Sequence, residues 1–143
     1  MRQSELKKQL CSEISDEEYQ NLKTGGPLYI SEFNRTKILE MFSFPAGEKE
    51  ADTEKVKGLR EALKAYLSVY MKDRPEAHKW IIIACLYLSF IKNEPLHPQN
   101  AAGFIKLNDK GKCVYFCPLR EDTPGSICSY CICRKHHPAD VNK

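Results

Sequence analysis

The run Trp80–Ile91 limits the possible folds of this chain more than any other feature, because every position in it except Ser89 is apolar. The run is too short to cross a bilayer, which takes about 20 residues in a helix. A helix that is apolar on nearly every side has to be covered on every side. We therefore predict a helix over about Glu76–Lys92 that lies at the centre of the fold, surrounded by other helices.

Shorter amphipathic segments that could surround this helix precede it in the chain. Residues 3–14 have apolar side chains at helical spacing. The residues Ser15–Glu18 form a capping box, which predicts a second helix that ends at Gly25. A third helix is expected from Ser31, a favourable capping residue, to about Phe42.

The segment that begins at Asp52 has the strongest helical pattern. Its apolar stripe consists of Val56, Leu59, Leu63, Tyr66, Leu67, Tyr70 and Met71. We assign the whole stripe to the core, and we likewise interpret the aromatic residues Tyr66, Tyr70, Trp80, Tyr87 and Phe90 as core rather than as a base-stacking platform. Pro75 is expected at the start of the next helix.

The pattern changes at Pro95, after which short strand-like and cysteine-rich segments replace the helices. Phe104–Leu107 and Lys112–Phe116 are predicted strands, and residues 108–111 are a predicted hairpin turn. The predicted fold class is mainly α: a multi-helix bundle with a buried central helix, plus a C-terminal β-hairpin and a cysteine-rich metal-binding loop. Residues 1–94 form the helical body and residues 95–143 the hairpin and zinc-binding tail, packed as one domain.

The charge of the chain argues against several classes of partner. Its 22 basic and 19 acidic residues leave a net charge of +3, which is too small to indicate nucleic acid. The short basic run Arg134–His137 is typical of a solvated surface, so a nucleic-acid partner is not expected. Residues 1–10 do not resemble a secretory signal, which predicts a cytoplasmic protein that is not inserted in a membrane. In a reducing compartment, the seven cysteines are expected as metal ligands or free thiols.

Five of these cysteines lie within Cys113–Cys133. The central signal is Cys128-Ser129-Tyr130-Cys131, since a two-residue spacer lets both sulfurs reach one ion. The tail has too few apolar residues to fold by burial alone, so a metal ion would stabilise it. We predict one zinc ion, and its surest ligands are Cys117, Cys128 and Cys131.

Distances exclude Cys113 as a ligand of the ion that Cys117 binds, and they leave the fourth ligand open. If residues 112–117 are extended, Cys113 and Cys117 lie about 13 Å apart, whereas ligand sulfurs around one zinc are about 4 Å apart. We therefore retain Cys117, which lies at the end of the strand. For the fourth position we favour His97, with Cys85 and Cys133 as the alternatives.

Two classes of function are compatible with such a site. A closed site with four protein ligands predicts a non-enzymatic module that binds an unidentified protein partner. An open zinc site or an iron–sulfur cluster would instead indicate a metalloenzyme or a redox protein. The usual iron–sulfur spacings are missing from the sequence, and it has no phosphate-binding glycine loop. The sequence therefore favours the binding module, and it does not indicate an oligomeric state.

The stretch 86–133 resembles a family of uncharacterised archaeal proteins, found largely in methanogens and known as domain of unknown function 2115. The resemblance rests on Tyr87–Ile91, Pro95–Pro98, Tyr115–Glu121 and Cys128–Cys131. It implies an intracellular archaeal protein, and it supplies no activity. In the family the His-Pro step, the Cys-Pro step and the two-cysteine motif recur together, which favours His97 as a ligand.

We predict that the substitution Cys128→Ala removes the metal and unfolds the C-terminal segment. The helical signal in far-ultraviolet circular dichroism should be largely retained, because the predicted helices precede the metal site. A strong chelator should have the same effect on the unsubstituted protein. Full retention of the metal by the variant would contradict the ligand assignment.

Overall fold

A computed structural model of the chain describes residues 1–97 and 126–131, together with the backbone of residues 105–109 and 112–116. Five α-helices make up most of this part, so the prediction of a mainly helical fold is confirmed. They are α1 (Gln3–Ser12), α2 (Asp16–Thr24), α3 (Glu32–Ser43), α4 (Thr53–Tyr70) and α5 (Pro75–Tyr87). They are followed by a π-helical turn (Leu88–Lys92), strands β1 (Ile105–Asp109) and β2 (Lys112–Phe116), and a 3₁₀ turn (Ile127–Tyr130).

The ends of the first helices follow from local side-chain chemistry, as predicted. Helix α2 begins with a capping box in which Ser15 Oγ accepts from the Glu18 amide at 3.1 Å and the Glu18 carboxylate accepts from the Ser15 amide at 2.9 Å. It ends at Gly25, which has a φ of 76°, a left-handed conformation that favours glycine. The hydroxyl of Ser31 caps α3 by accepting from the Asn34 amide.

The buried face of α4 is narrower than the sequence indicated. Val56, Leu59, Leu63 and Leu67 are buried, but Tyr66 and Tyr70 are 48% and 71% exposed. The assignment of these two tyrosines to the core was therefore wrong. Tyrosine is amphipathic, so its ring can cover apolar surface while its hydroxyl remains in water. Their rings pack on each other instead, with centroids 4.6 Å apart.

Helix α5 is the central helix, as the sequence predicted. Pro75 occupies its first turn, and every residue from Ile82 to Leu88 is buried. Helices α1, α3 and α4 all pack against it. Its apolar side chains, including those of Trp80 and Tyr87, belong to one hydrophobic core that also receives Leu6 and Leu10 of α1.

A π-helical turn extends α5 to Lys92 and then stops abruptly. Asn93 adopts a left-handed conformation with a φ of 56°, which asparagine tolerates better than most residues. The amides of Asn93 and Glu94 both donate to the carbonyl of Leu88, so the end of the helix is closed by the backbone. The chain then turns away through the buried residues Pro95 and Leu96.

The backbones of β1 and β2 pair in antiparallel register from Ile105 opposite Phe116 to Asp109 opposite Lys112. Asn108 and Asp109 therefore belong to the ladder, whereas the sequence placed them in the turn. The difference arises because backbone N–H and C=O groups make the ladder bonds, so polar residues can belong to it as well as apolar ones. The predicted cysteine-rich metal-binding loop lies mostly outside the described residues, so it stays a prediction.

A cluster of polar side chains joins α3 to the end of α5. The Tyr87 hydroxyl donates to Glu40 Oε1 at 2.6 Å, and the Lys92 ammonium lies 3.4 Å from the same oxygen. Lys37 bridges Glu40 and Glu94. Burial by itself raises the pKa of Glu40, but the hydrogen bond from Tyr87 and the two lysines outweigh it and leave that pKa below its ordinary value.

The substitution Tyr87→Phe should destabilise the fold by about 1–3 kcal/mol near pH 7, because it removes a hydrogen bond to a charged carboxylate. The lowered pKa of Glu40 contributes stability above its unfolded value, and this contribution is lost as the pH falls through the folded value. The difference in the free energy of unfolding between Tyr87→Phe and the unsubstituted protein should therefore shrink toward about pH 3. Urea unfolding near pH 7 and at about pH 3 measures this difference in stability. The control Tyr66→Phe changes an exposed tyrosine and should shift stability by less than about 0.5 kcal/mol.

Candidate metal centre

The segment 126–131 is a compact turn that contains two of the predicted ligands, Cys128 and Cys131. The Ser129 amide donates to the Ser126 carbonyl at 3.0 Å, and the Cys131 amide donates to the Cys128 carbonyl at 3.2 Å. The Ser129 hydroxyl adds a second hydrogen bond to the Ser126 carbonyl at 2.5 Å. These bonds fix the backbone between the two cysteines, as a chelating pair requires.

This turn is docked on the helical body by Ser89 and Tyr130. The Ser89 hydroxyl donates to the Tyr130 carbonyl at 2.5 Å. The turn also packs against α4, and the side chains of Ile127, Tyr130 and Cys131 contact the hydrophobic core. The position of the cysteine pair is therefore set by the central helix and by α4.

Close approach to α4 is possible because residue 58 has no side chain. A Cβ atom at Gly58 would overlap the Tyr130 hydroxyl oxygen, and it would lie only 3.3 Å from the ring carbon that bears this hydroxyl. Glycine inside a helix costs up to about 1 kcal/mol relative to alanine. At this position the absence of a side chain leaves room for the Tyr130 ring to pack against α4.

Cys85 of α5 belongs to the hydrophobic core against which the docked turn packs. Burial, with a further contribution from the charge of Cys131, raises the pKa of the Cys85 thiol to about 12 from its ordinary value of 9.0. A bound divalent cation would reverse this preference, because a coordinating thiol is deprotonated. Cys85, which the sequence left as an alternative ligand, is buried in the core against which the predicted ligand Cys131 packs.

The other predicted ligands are less well placed or lie beyond what the structure describes. His97 is solvent-exposed. Cys117 and Cys133 lie outside the described residues, and only the backbone of Cys113 is described. Among the described side chains, no three of histidine, cysteine, aspartate or glutamate converge on one point. The described thiols fit a zinc ion in kind, but a complete set would need further donors.

The residues that dock the turn, Ser89 and Gly58, were not predicted from the sequence. Ser89 is the single polar residue in the run Trp80–Ile91, and a lone hydroxyl on a buried helix usually has a hydrogen-bond partner. Gly58 interrupts an otherwise strong helical pattern, which often marks a close packing contact. Both signals are present in the sequence. Neither of them indicates that Tyr130 is the partner, because Tyr130 is distant from both residues in the sequence.

The sequence profile of an archaeal family described as "uncharacterized protein conserved in archaea" (domain of unknown function 2115, DUF2115) matches residues 6–136. The chain belongs to this family. The match includes the helical body and the cysteine motif, so the DUF2115 sequence pattern extends well beyond the stretch 86–133 that carried the resemblance. No solved structure matches the chain significantly.

Relatives from two methanogens are similar to this member of the DUF2115 family. A UPF0305 protein of Methanocaldococcus jannaschii is 30% identical over 91 residues, which is 61% of this chain and 55% of the relative. A UPF0305 protein of Methanothermobacter thermautotrophicus is 30% identical over 104 residues, or 68% of this chain and 61% of the relative. The chain thus spans between half and two thirds of the curated relatives it matches.

No helix in the part of the chain that the structure describes is both long enough and apolar enough to cross a membrane.

We predict that Gly58→Ala is coupled to residue 130. Alanine should gain up to about 1 kcal/mol from helix propensity, but the added methyl group must displace the Tyr130 ring. The substitution should therefore be more favourable, by about 0.5 kcal/mol or more, in a Tyr130→Ala background. A double-mutant cycle by urea unfolding measures this coupling. The control pair Gly58→Ala and Tyr66→Ala, whose tyrosine lies on the exposed side of α4, should be additive. Equal effects of Gly58→Ala in both Tyr130 backgrounds would contradict the docking.

Proposed function

We propose that this DUF2115 protein is a non-enzymatic binding module in which one structural zinc ion holds the C-terminal segment on a helical body. The observation that carries the proposal is the docked turn, in which Cys128 and Cys131 are fixed by backbone hydrogen bonds and anchored to the central helix through Ser89. A thiol pair with this spacing is typical of zinc sites. The sequence supplies Cys117 as a third ligand and His97 as the favoured fourth.

The packing of the turn favours a structural role over a catalytic one. A structural site has four protein ligands and excludes water, whereas a catalytic site retains an open position. Cys131 and Tyr130 pack against the hydrophobic core, so this side of the site is turned toward the protein interior. A zinc ion here would stabilise a segment that contributes little apolar surface of its own.

The partner proposed for the module is another protein in the cytoplasm of the archaeal cell. The small net charge of +3 does not favour nucleic acid, and nothing in the sequence pattern favours a membrane surface. The relatives' names do not specify a ligand or an activity.

One observation supports a second candidate, a metalloenzyme or redox protein. The π-helical turn Leu88–Lys92 carries Ser89 and lies beside the cysteine turn. Single π-helical turns within helices occur frequently at functional sites. In this alternative the zinc site is open, or an iron–sulfur cluster replaces the zinc ion.

Elemental analysis of the purified protein, together with its ultraviolet–visible spectrum, tests the proposal. We expect a colourless protein with about one tightly bound zinc ion per chain. Iron with visible absorption would replace the zinc proposal by a cluster, and a protein without bound metal would refute both. A zinc-bound water molecule, detected in the coordination shell by X-ray absorption, would favour the catalytic alternative.

A further inference from the structure

We propose that two copies of this chain associate through the exposed C-terminal half of α4 and form a two-fold symmetric dimer. The contact surface, which we call the tyrosine face, consists of Ala65, Tyr66, Val69 and Tyr70 of α4 together with Tyr29, all of them exposed. The inference goes beyond the proposed zinc module, because the tyrosine face belongs to the helical body and includes none of the predicted metal ligands.

The exposed large apolar side chains of the described residues are gathered on this face. Tyr66 and Tyr70 are accompanied by Val69 of the same helix, which is 64% exposed, and by Tyr29, which is 56% exposed. Tyr29 precedes α3 in the chain, but the Arg74 guanidinium lies 5.2 Å from its ring centroid, which places the ring beside the end of α4. Single exposed apolar residues are ordinary, whereas a group of them at one place indicates an interaction surface.

The charges around the tyrosine face argue against a strongly charged partner. Residues 61–76 contain three acidic and three basic side chains: Glu61, Asp73, Glu76, Lys64, Lys72 and Arg74. Two opposite pairs lie close together, Lys64 with Glu61 at 3.8 Å and Arg74 with Glu76 at 4.0 Å. A surface without net charge does not attract a strongly acidic or basic molecule, and it does not repel its own copy.

The order of the charges along α4 makes the face complementary to itself. Glu61, Ala65 and Val69 are four residues apart and therefore lie along one side of the helix. Lys72 follows just beyond the end of α4. When two α4 helices pair antiparallel about a two-fold axis halfway between Glu61 and Lys72, the acidic start of one line lies opposite the basic end of the other. The symmetry repeats this contact, so the dimer gains it twice.

The size of the tyrosine face predicts how strong the dimer is. Tyrosine is enriched in protein interfaces, where its ring supplies a large contact area. If the three tyrosines became fully buried, they would remove on the order of 300 Å² from water. Each partner in an interface of standard size contributes about 800 Å². We therefore expect a dimer at the weak end of specific interfaces, with a dissociation constant in the micromolar range.

Sedimentation equilibrium of the full chain, over a concentration series that spans the micromolar range, tests the inference. We expect an equilibrium between monomer and dimer. A parallel series with a strong chelator should give the same dissociation constant, because the tyrosine face lies in the helical body. A protein that forms this dimer but contains no zinc would refute the proposed function and leave the dimer standing.

Substitutions on the tyrosine face locate the contact. Val69→Lys places two like charges near the two-fold axis and should weaken the dimer more than about 10-fold. Tyr70→Ala removes a central ring and should also weaken it about 10-fold or more. The matched control is Gln9→Lys, which adds the same charge at an exposed position of α1 and should leave the dissociation constant unchanged. Far-ultraviolet circular dichroism checks that each variant folds.

Charge reversal tests the antiparallel arrangement of the two helices. Glu61→Lys and Lys72→Glu should each weaken the dimer about 5-fold, because each places like charges opposite each other twice. The double variant exchanges the two charges and should restore the dissociation constant to within about 2-fold. Glu61 and Lys72 are 11 residues apart, too far to pair with each other in the same α4, so this restoration requires the contact between two copies.

A protein that stays monomeric at every concentration would overturn the inference. Hydroxyl-radical labelling of Tyr66 and Tyr70 in that monomer would then identify the alternative: protected rings indicate another segment of this chain, and accessible rings indicate a different protein. A dimer that persists unchanged in both Val69→Lys and Tyr70→Ala would place the contact elsewhere and would also overturn the inference. So would a dimer that the chelator dissociates, since its contact would depend on metal.

Discussion

Burial of the central helix is the constraint on which the rest of this structure depends. From Ile82 to its end, every residue of helix α5 is buried, so α1, α3 and α4 have to enclose it. Burying apolar surface contributes about 25 cal/mol per Å², which makes an exposed α5 untenable. The positions of the other helices follow from this requirement, and their narrow apolar stripes are what a helix needs when only one side faces the core.

Polar groups enter this arrangement only where they are satisfied. Tyr87 is fully buried, yet its hydroxyl reaches Glu40 at the edge of the core. The hydroxyl of Ser89 also needs a hydrogen-bond partner, and it donates to the carbonyl of Tyr130 in the docked turn. Within the described side chains, no buried nitrogen or oxygen atom is left without a hydrogen-bond partner. The end of α5 is thus both the centre of the fold and the attachment point of the candidate metal centre.

The docked turn connects the candidate metal centre to the helical body. Tyr130 fits against α4 because Gly58 leaves room for its ring. Cys131 follows directly and packs against the hydrophobic core to which Cys85 belongs. In the proposed function, a zinc ion bound by Cys128 and Cys131 would link metal binding to the docking of this turn. The match to the DUF2115 family covers all of these residues.

Features that depend on residues near each other in sequence were predictable from the sequence. The capping box at Ser15, the left-handed end at Gly25, the first-turn Pro75 and the burial of α5 are local or periodic features, and the structure confirms all of them. Only the tertiary structure decided that Tyr66 and Tyr70 remain in water and that Ser89 holds Tyr130. It also decided that Cys131 packs against the hydrophobic core, whereas His97 is exposed. The physical reason is that periodicity defines the face a helix buries, but the width of that face and its distant contacts depend on how neighbouring elements pack against it.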